Sequence, residues 1–365
     1  MRSRSAILIP AAPLALALGI ATPARADGTV ECNTAENAGP DGVPGNGDDE
    51  IGQTECGINS TAPRSQSTAI GANAKALLAK STAVGQGAEA AGVESTAVGQ
   101  TSHARAAGSS AIGQGSYAAE IDDTALGYRS RAIGAKATAT GAQSLAFGMY
   151  ATATGYESFA NGIRTTATGY RSVAGADDAT TNGGLSSAWG TRSSAYGAGA
   201  RAGGDGTYET FPTFRNGNTT ALGAGAEAGA LADGQINATA VGVFARANGL
   251  DATAVGTGAG AGNGGTAIGA SSGAAANATA VGNGAYAVAV GSSAFGNGAV
   301  VSIEATNGVA IGNDSLADRV NSVSVGRAGS ERQITNVADG TDATDAVNVR
   351  QLNAAVATVG SNAAA

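Results

Sequence analysis

A short unit, Ser81-Thr82-Ala83-Val84-Gly85, recurs along some 250 residues and constrains the fold more than anything else in the chain. Close relatives stand at Ala97-Val98-Gly99, Ala111-Ile112-Gly113 and Ala125-Leu126-Gly127. The closing glycines Gly71, Gly85, Gly99, Gly113, Gly127, Gly141, Gly155 and Gly169 are fourteen residues apart, with a half-beat at Gly134, Gly148 and Gly162. After an irregular stretch the unit resumes at Gly190, Gly197, Gly223, Gly242, Gly256, Gly269, Gly282, Gly296, Gly312 and Gly326. A fixed period sustained this long identifies a repeat architecture.

The unit is too glycine-rich for a helix, since each interior Gly costs about 1 kcal/mol relative to Ala. In Thr82-Ala83-Val84 the side chains alternate, so Thr82 and Val84 share one face and Ala83 the other. A β-branched residue, a small residue and a Gly suit a very short strand ending in a tight turn. Strand, turn, strand, turn in fourteen residues is one coil of a parallel β-solenoid, with a core expected to grow one Val, Ile or Leu at a time. Roughly 17 coils at the ~4.8 Å strand spacing predict a rod on the order of 80 Å long. Aromatics are only 4% of residues and glycines number 58, so each coil has little apolar area to bury. A partner covering one face is expected to help.

Residues 1–26 read as a secretory signal peptide: Arg2 and Arg4, an apolar run from Ile7 to Ile20, and cleavage between Ala26 and Asp27. Loss of its three arginines takes the net charge from −8 to −11, which gives no reason to bind nucleic acid or an anionic membrane. Residues 27–66 read as a separate acidic segment outside the repeat. It holds the only cysteines, Cys32 and Cys56, expected to pair after export. The acidic run from Asp41 to Glu50 lacks the spacing of an EF-hand loop and reads as a solvated turn.

The roll is expected over 67–326, with excursions near 177–185 and 203–218. The second concentrates Tyr208, Phe211, Phe214 and Arg215 in a chain poor in aromatics, and these are the candidate ligand-binding residues. Residues 327–348 carry no Ala-Val-Gly unit, and 349–365 begin a helix, for which Asp342 to Asp345 offer N-caps. Val349, Leu352, Val356 and Val359 form an a/d seam too short to be stable alone.

These features together resemble the trimeric autotransporter adhesins, with YadA-like head repeats joined to a neck. The resemblance rests on the fourteen-residue coils, on Ser322 to Gly326, on Glu331 to Val337 and on Thr344 to Asn353. It implies a left-handed parallel β-roll, trimerised about a threefold axis, and a neck that clamps three chains onto a coiled-coil stalk. Ile334, Val337, Val347, Val349, Leu352 and Val356 are the residues it assigns to that trimer. It also implies an outer-membrane β-barrel anchor, but the residues through Ala365 hold no alternating ten-residue strands. The expectation is therefore a truncated or released passenger, or one tethered by other means. Some heads of this family bind collagen through Asn-Ser-Val-Ala-Ile-Gly units, to which Asn321 to Gly326 is the nearest match here.

Chemistry is not expected. The single histidine, His103, falls where the repeat predicts a turn, and two cysteines with one histidine cannot assemble a zinc site. Gly269 to Gly273 matches a nucleophile elbow and Gly260 to Gly265 a dinucleotide fingerprint, both without the helix that gives them meaning. The reading is a non-enzymatic, cofactor-free surface adhesin, exported through the Sec pathway, that binds a matrix protein or cell-surface ligand as a homotrimer. Two alternatives are an ice-binding solenoid using Thr138-Ala139-Thr140, Thr152-Ala153-Thr154 and Thr166-Ala167-Thr168, and a structural surface coat.

Overall fold

In the computed structural model, which describes residues 32–33 and 52–363, the chain is a parallel β-solenoid of about 19 turns followed by one helix, Val349–Ala363. The signal segment, its cleavage site at Ala26 and Asp27, and the acidic turn from Asp41 to Glu50 lie outside the described residues. A typical coil holds a three-residue strand, Thr82–Val84, and a two-residue strand, Glu89–Ala90. The first pairs in parallel with Thr68–Ile70 and Thr96–Val98, the second with Lys75–Ala76 and His103–Ala104. The long strands thus build one sheet and the short strands a second. Turn residues extend the ladder: Gly85 N donates to Ile70 O and Gly99 N to Val84 O, both at 2.7 Å.

The core is alanine, not the Val, Ile and Leu expected of it. Ser81, Ala83, Ala88 and Ala90 are fully buried, while Val84 is half-buried on the outside. Fourteen residues close a small ring, and few branched side chains point into it, Thr165, Thr181 and Val301 among them. Most buried serines are satisfied locally, the hydroxyl closing its own turn: Ser95 Oγ donates to Gly92 O at 2.7 Å and Ser102 Oγ to Gly99 O at 2.9 Å, whereas Ser193 Oγ reaches Asn216 O across the insertion. The fourteen-residue glycine beat has a steric cause. Gly85 lies at φ 129°, and a Cβ there would stand 2.6 Å from the Gly99 carbonyl oxygen of the next coil.

Three boundaries differ from the sequence pattern. The solenoid opens at Thr54–Cys56, inside 27–66, because Glu55-Cys56-Gly57 does the work of Ala-Val-Gly and pairs with Thr68–Ile70. The strand Cys32–Asn33 runs antiparallel to it with Cys32 opposite Cys56, covering the first open edge; Cys56 is disulfide-bonded. Residues 177–185 are no excursion, since Thr180–Asn182 pairs in register with Thr166–Thr168 and Ser194–Tyr196. A true insertion at 203–218 is followed by a smaller one at 229–236 that the sequence pattern did not flag, and the ladder Ser194–Thr220–Thr239 continues past both.

After Val323–Ser324 the chain leaves the roll. Arg332 holds the exit, donating to Val325 O at 2.7 Å and to Asn313 O. The helix starts at Val349, later than the aspartates suggested. Its cap is Asn348, whose Oδ1 accepts Gln351 N at 3.1 Å while Gln351 Oε1 accepts Asn348 N at 3.4 Å. Asp345 instead closes the preceding turn by accepting the N–H groups of Thr341 and Asp342.

Candidate adhesive surface

The roll offers two outward sheets. On the long-strand sheet the last residue of each strand forms a column, with Ile70, Ile112, Leu126, Leu222, Ile268 and Ile311 each about two-fifths exposed. Thr140, Thr154, Thr168 and Asn182 interrupt it with polar side chains, while the first strand position carries Thr or Ser from Thr54 to Ser293. The three Thr-Ala-Thr strands stack in register as expected.

On the short-strand side, the insertion at 203–218 folds back over earlier coils. Its anchor is Trp189, only 2% exposed, seated against Gly175, Gly204 and Gly206. Phe211 meets that indole at 6.0 Å between centroids, yet is 76% exposed. Arg215 lies over the same indole at 5.7 Å. Tyr208 rests on Arg171 at 5.3 Å, and Arg171 is also 5.4 Å from the Tyr170 ring, 2.6 Å from Glu157 and 3.4 Å from Glu209. That guanidinium ties the insertion to coils 38 residues earlier. Tyr156 stacks on Tyr170 at 5.7 Å, which extends the aromatic surface along the rod.

Polar contacts fix the loop's shape. Asp205 accepts both Thr213 N and Thr213 Oγ1 at 2.7 Å, and these hydrogen bonds hold its carboxyl below the usual range. Asn216, 1% exposed, donates its amide to Gly229 O and Ala232 O at 2.9 and 2.7 Å, joining the two insertions. A cavity of about 40 Å³ lies beneath the loop, lined by Phe159, Trp189, Tyr208 and Phe211 among others.

The structure therefore gathers Tyr208, Phe211 and Arg215 on one face, with Phe214 half-buried beside them. The pattern reading missed Trp189, Arg171 and Glu157. Trp189 had a signal: it is the only tryptophan in the chain. At the far end, Ile334, Val337, Val347 and Val349 line one groove of the neck. Ile334, Val347, Val349, Leu352 and Val356 are all more than half exposed.

His103 lies in a short strand rather than the expected turn, beside Tyr117 at 6.3 Å. Ser271 sits in a turn at φ 54° with no helix after it. Among the described residues no group of three or more His, Cys, Asp or Glu could hold a metal, and no helix is long and apolar enough to cross a membrane.

Comparison with known proteins agrees with this architecture. A family model described as the YadA head domain repeat matches nine stretches: 57–74, 65–88, 79–102, 90–116, 104–130, 125–151, 153–175, 235–259 and 304–327. A second, the coiled stalk of trimeric autotransporter adhesin, matches 333–365, and the two together span more than half of the chain. No curated protein matches. Among solved structures, the collagen-binding domain of the Yersinia adhesin YadA is 22% identical over 73% of this chain and 84% of that chain, with a TM-score of 0.22 too low to carry any argument. The head-repeat matches fall on the coils and the stalk match on the helix and its approach, and the chain belongs to the trimeric autotransporter adhesins as a passenger with YadA-like head repeats.

Proposed function

We propose that the chain is an adhesin head that works as a homotrimer, presenting the 203–218 face in three copies to a matrix protein or cell-surface ligand. The observation that carries this reading is Phe211, three-quarters exposed yet braced against a buried tryptophan. A fixed, solvent-facing aromatic with an arginine beside it is what interface hot spots use, and it loses little entropy on binding. Tyr208 and Arg215 complete the contact, with Phe214 supporting it from within the loop. Three identical faces raise affinity by effective concentration without new contacts. Export, with cleavage between Ala26 and Asp27 and a Cys32–Cys56 disulfide, fits this role.

Trimerisation is supported by the apolar column on the long-strand sheet, which a single chain leaves half-exposed, and by the uncovered seam of the neck helix. Collagen is the first matrix protein to try, because Asn321 to Gly326 is the nearest match here to the unit by which some heads of this family bind it. The test is the solution mass of residues 27–365 by light scattering, followed by binding of that trimer to immobilised matrix proteins. Phe211→Ala is expected to abolish binding without changing the mass. A stable monomer would overturn the reading and leave the threonine ladder, with ice binding, as the alternative.

A further inference from the structure

Five cations of the head are tied to acids one coil or insertion away. Lys80 pairs with Glu94, Arg164 with Asp178, and Arg171 with Glu157, while Arg201 and Arg246 share Glu227. Two arginines on the short-strand sheet are arranged differently. His103, Tyr117 and Arg131 occupy successive positions of one in-register column, with Arg105 next to it in the His103 coil. Arg105 Nη1 donates to Tyr117 Oη at 2.9 Å, and the guanidinium carbons of Arg105 and Arg131 each lie 5.9 Å from the Tyr117 ring centroid. Among the described residues, neither arginine has a carboxylate oxygen within 4 Å. Glu89, one coil earlier, is the acid whose charge reaches Arg105. Both guanidiniums are exposed.

This is a double positive charge without a salt bridge on a chain whose net charge is −8. A tyrosine ring rather than a counter-ion holds the two planar forks, so they can accept an anion without first breaking an ion pair. We propose that Arg105, Tyr117 and Arg131 form a second binding site, distinct from the 203–218 face, for an acidic glycan whose sulfate or carboxylate groups take the two guanidinium forks. The fold argues against a peptide in this place. Both edges of the strands holding these residues are already paired with neighbouring coils, so no strand can be added. An anionic sugar chain, by contrast, needs only charges, hydroxyls and an open surface.

The probe is heparin, presented to the intact chain in surface plasmon resonance at low and physiological salt. The wild type is expected to bind, more weakly as salt rises. Arg105→Gln with Arg131→Gln is expected to lose about tenfold or more in affinity, given two charge-assisted contacts. Arg105→Lys with Arg131→Lys, which keeps the charge but removes the fork, should fall between them with an unchanged circular dichroism spectrum. Phe211→Ala should leave heparin binding intact, separating this site from the proposed protein-binding face. Absence of wild-type binding at low salt, or an unchanged Gln variant, would overturn the proposal. So would equal binding of polyglutamate or duplex DNA, which would reduce the patch to an unselective anion attractor.

Discussion

Trp189 lies so close to Gly175 that a Cβ on the glycine would stand 2.0 Å from Cε3 of the indole. The glycine one coil below is therefore the seat on which the 203–218 insertion is built. Gly175→Ala should push the indole outward at a cost of about 1–3 kcal/mol, the usual range for overpacking. Because the chain has one tryptophan, its fluorescence reads this position alone. The expected outcome is red-shifted emission and stronger acrylamide quenching with the far-ultraviolet spectrum unchanged. Emission identical to the wild type would mean that the loop does not depend on this contact.

The alanine core makes a sharper demand. Ala153 is fully buried between Ala139 and Ala167, while its neighbour Thr152 points outward. Ala153→Val should therefore cost about 1–3 kcal/mol by overpacking, and Thr152→Val well under 1 kcal/mol in a single chain. The coil that holds Val301 at the inward position, in register with Ala287 and Ala317, shows the compensation required. The residue just before the next strand, Val309–Ile311, is Gly308, where a Cβ would come within 3.1 Å of Val301 Cγ1. Thermal melts of the two single variants check the prediction; equal melting temperatures would refute it.

The same alternation explains what could and could not be read from the residues. Period two in Thr82-Ala83-Val84 correctly put Ala83 opposite its neighbours, but periodicity does not say which face is inside. The circumference of the coil decides that, and it favours Ala and Ser. Residues 177–185 looked like a loop because Asp177, Asp178, Gly183 and Gly184 are turn formers, yet Thr180-Thr181-Asn182-Gly183 keeps the strand's length and its closing glycine. Thr54-Glu55-Cys56 escaped notice because Glu55 replaces the inward alanine, which the end of a stack tolerates. The aromatic insertion was legible as composition, but its anchor was not. Trp189 precedes the insertion by a full coil and is brought beneath it only by the fold.

Asp123 occupies an inward position that is serine in the coils of Ser81, Ser95, Ser109 and Ser193. Its carboxylate accepts Glu120 N at 2.8 Å and Ala137 N at 2.9 Å, but burial outweighs these bonds and raises its pKa. The folded protein therefore holds the proton to higher pH than the unfolded chain does. Between those two pKa values stability falls as pH rises, and above them the buried charge is a standing cost. Serine can replace the local bond, since Ser95 Oγ accepts Gly92 N at 3.1 Å in the equivalent place. Asp123→Ser should accordingly be more stable than the wild type at pH 7, with the advantage shrinking on acidification. Urea titrations at several pH values test it. An advantage that grew toward acid would show that the two backbone hydrogen bonds outweigh desolvation.

The neck helix cannot account for itself as a single chain. Val349, Leu352, Val356 and Val359 are spaced three, four and three, and all are more than half exposed, Val349 at 72%. A fifteen-residue helix is marginal in isolation, and its Asn348–Gln351 cap adds only about 1 kcal/mol. Copies of the seam packed against one another would remove those side chains from water. Aspartates at Val349, Leu352 and Val356 would then meet like charges at the axis, where no counter-ion is available. The triple variant should lose the trimer in light scattering while its head keeps the β-spectrum, since no core residue of the coils is touched. If the mass stays that of a trimer, the long-strand column of the head, from Ile70 to Ile311, must hold the three chains together without the stalk. In that case Leu126→Asp with Leu222→Asp becomes the substitution that separates them.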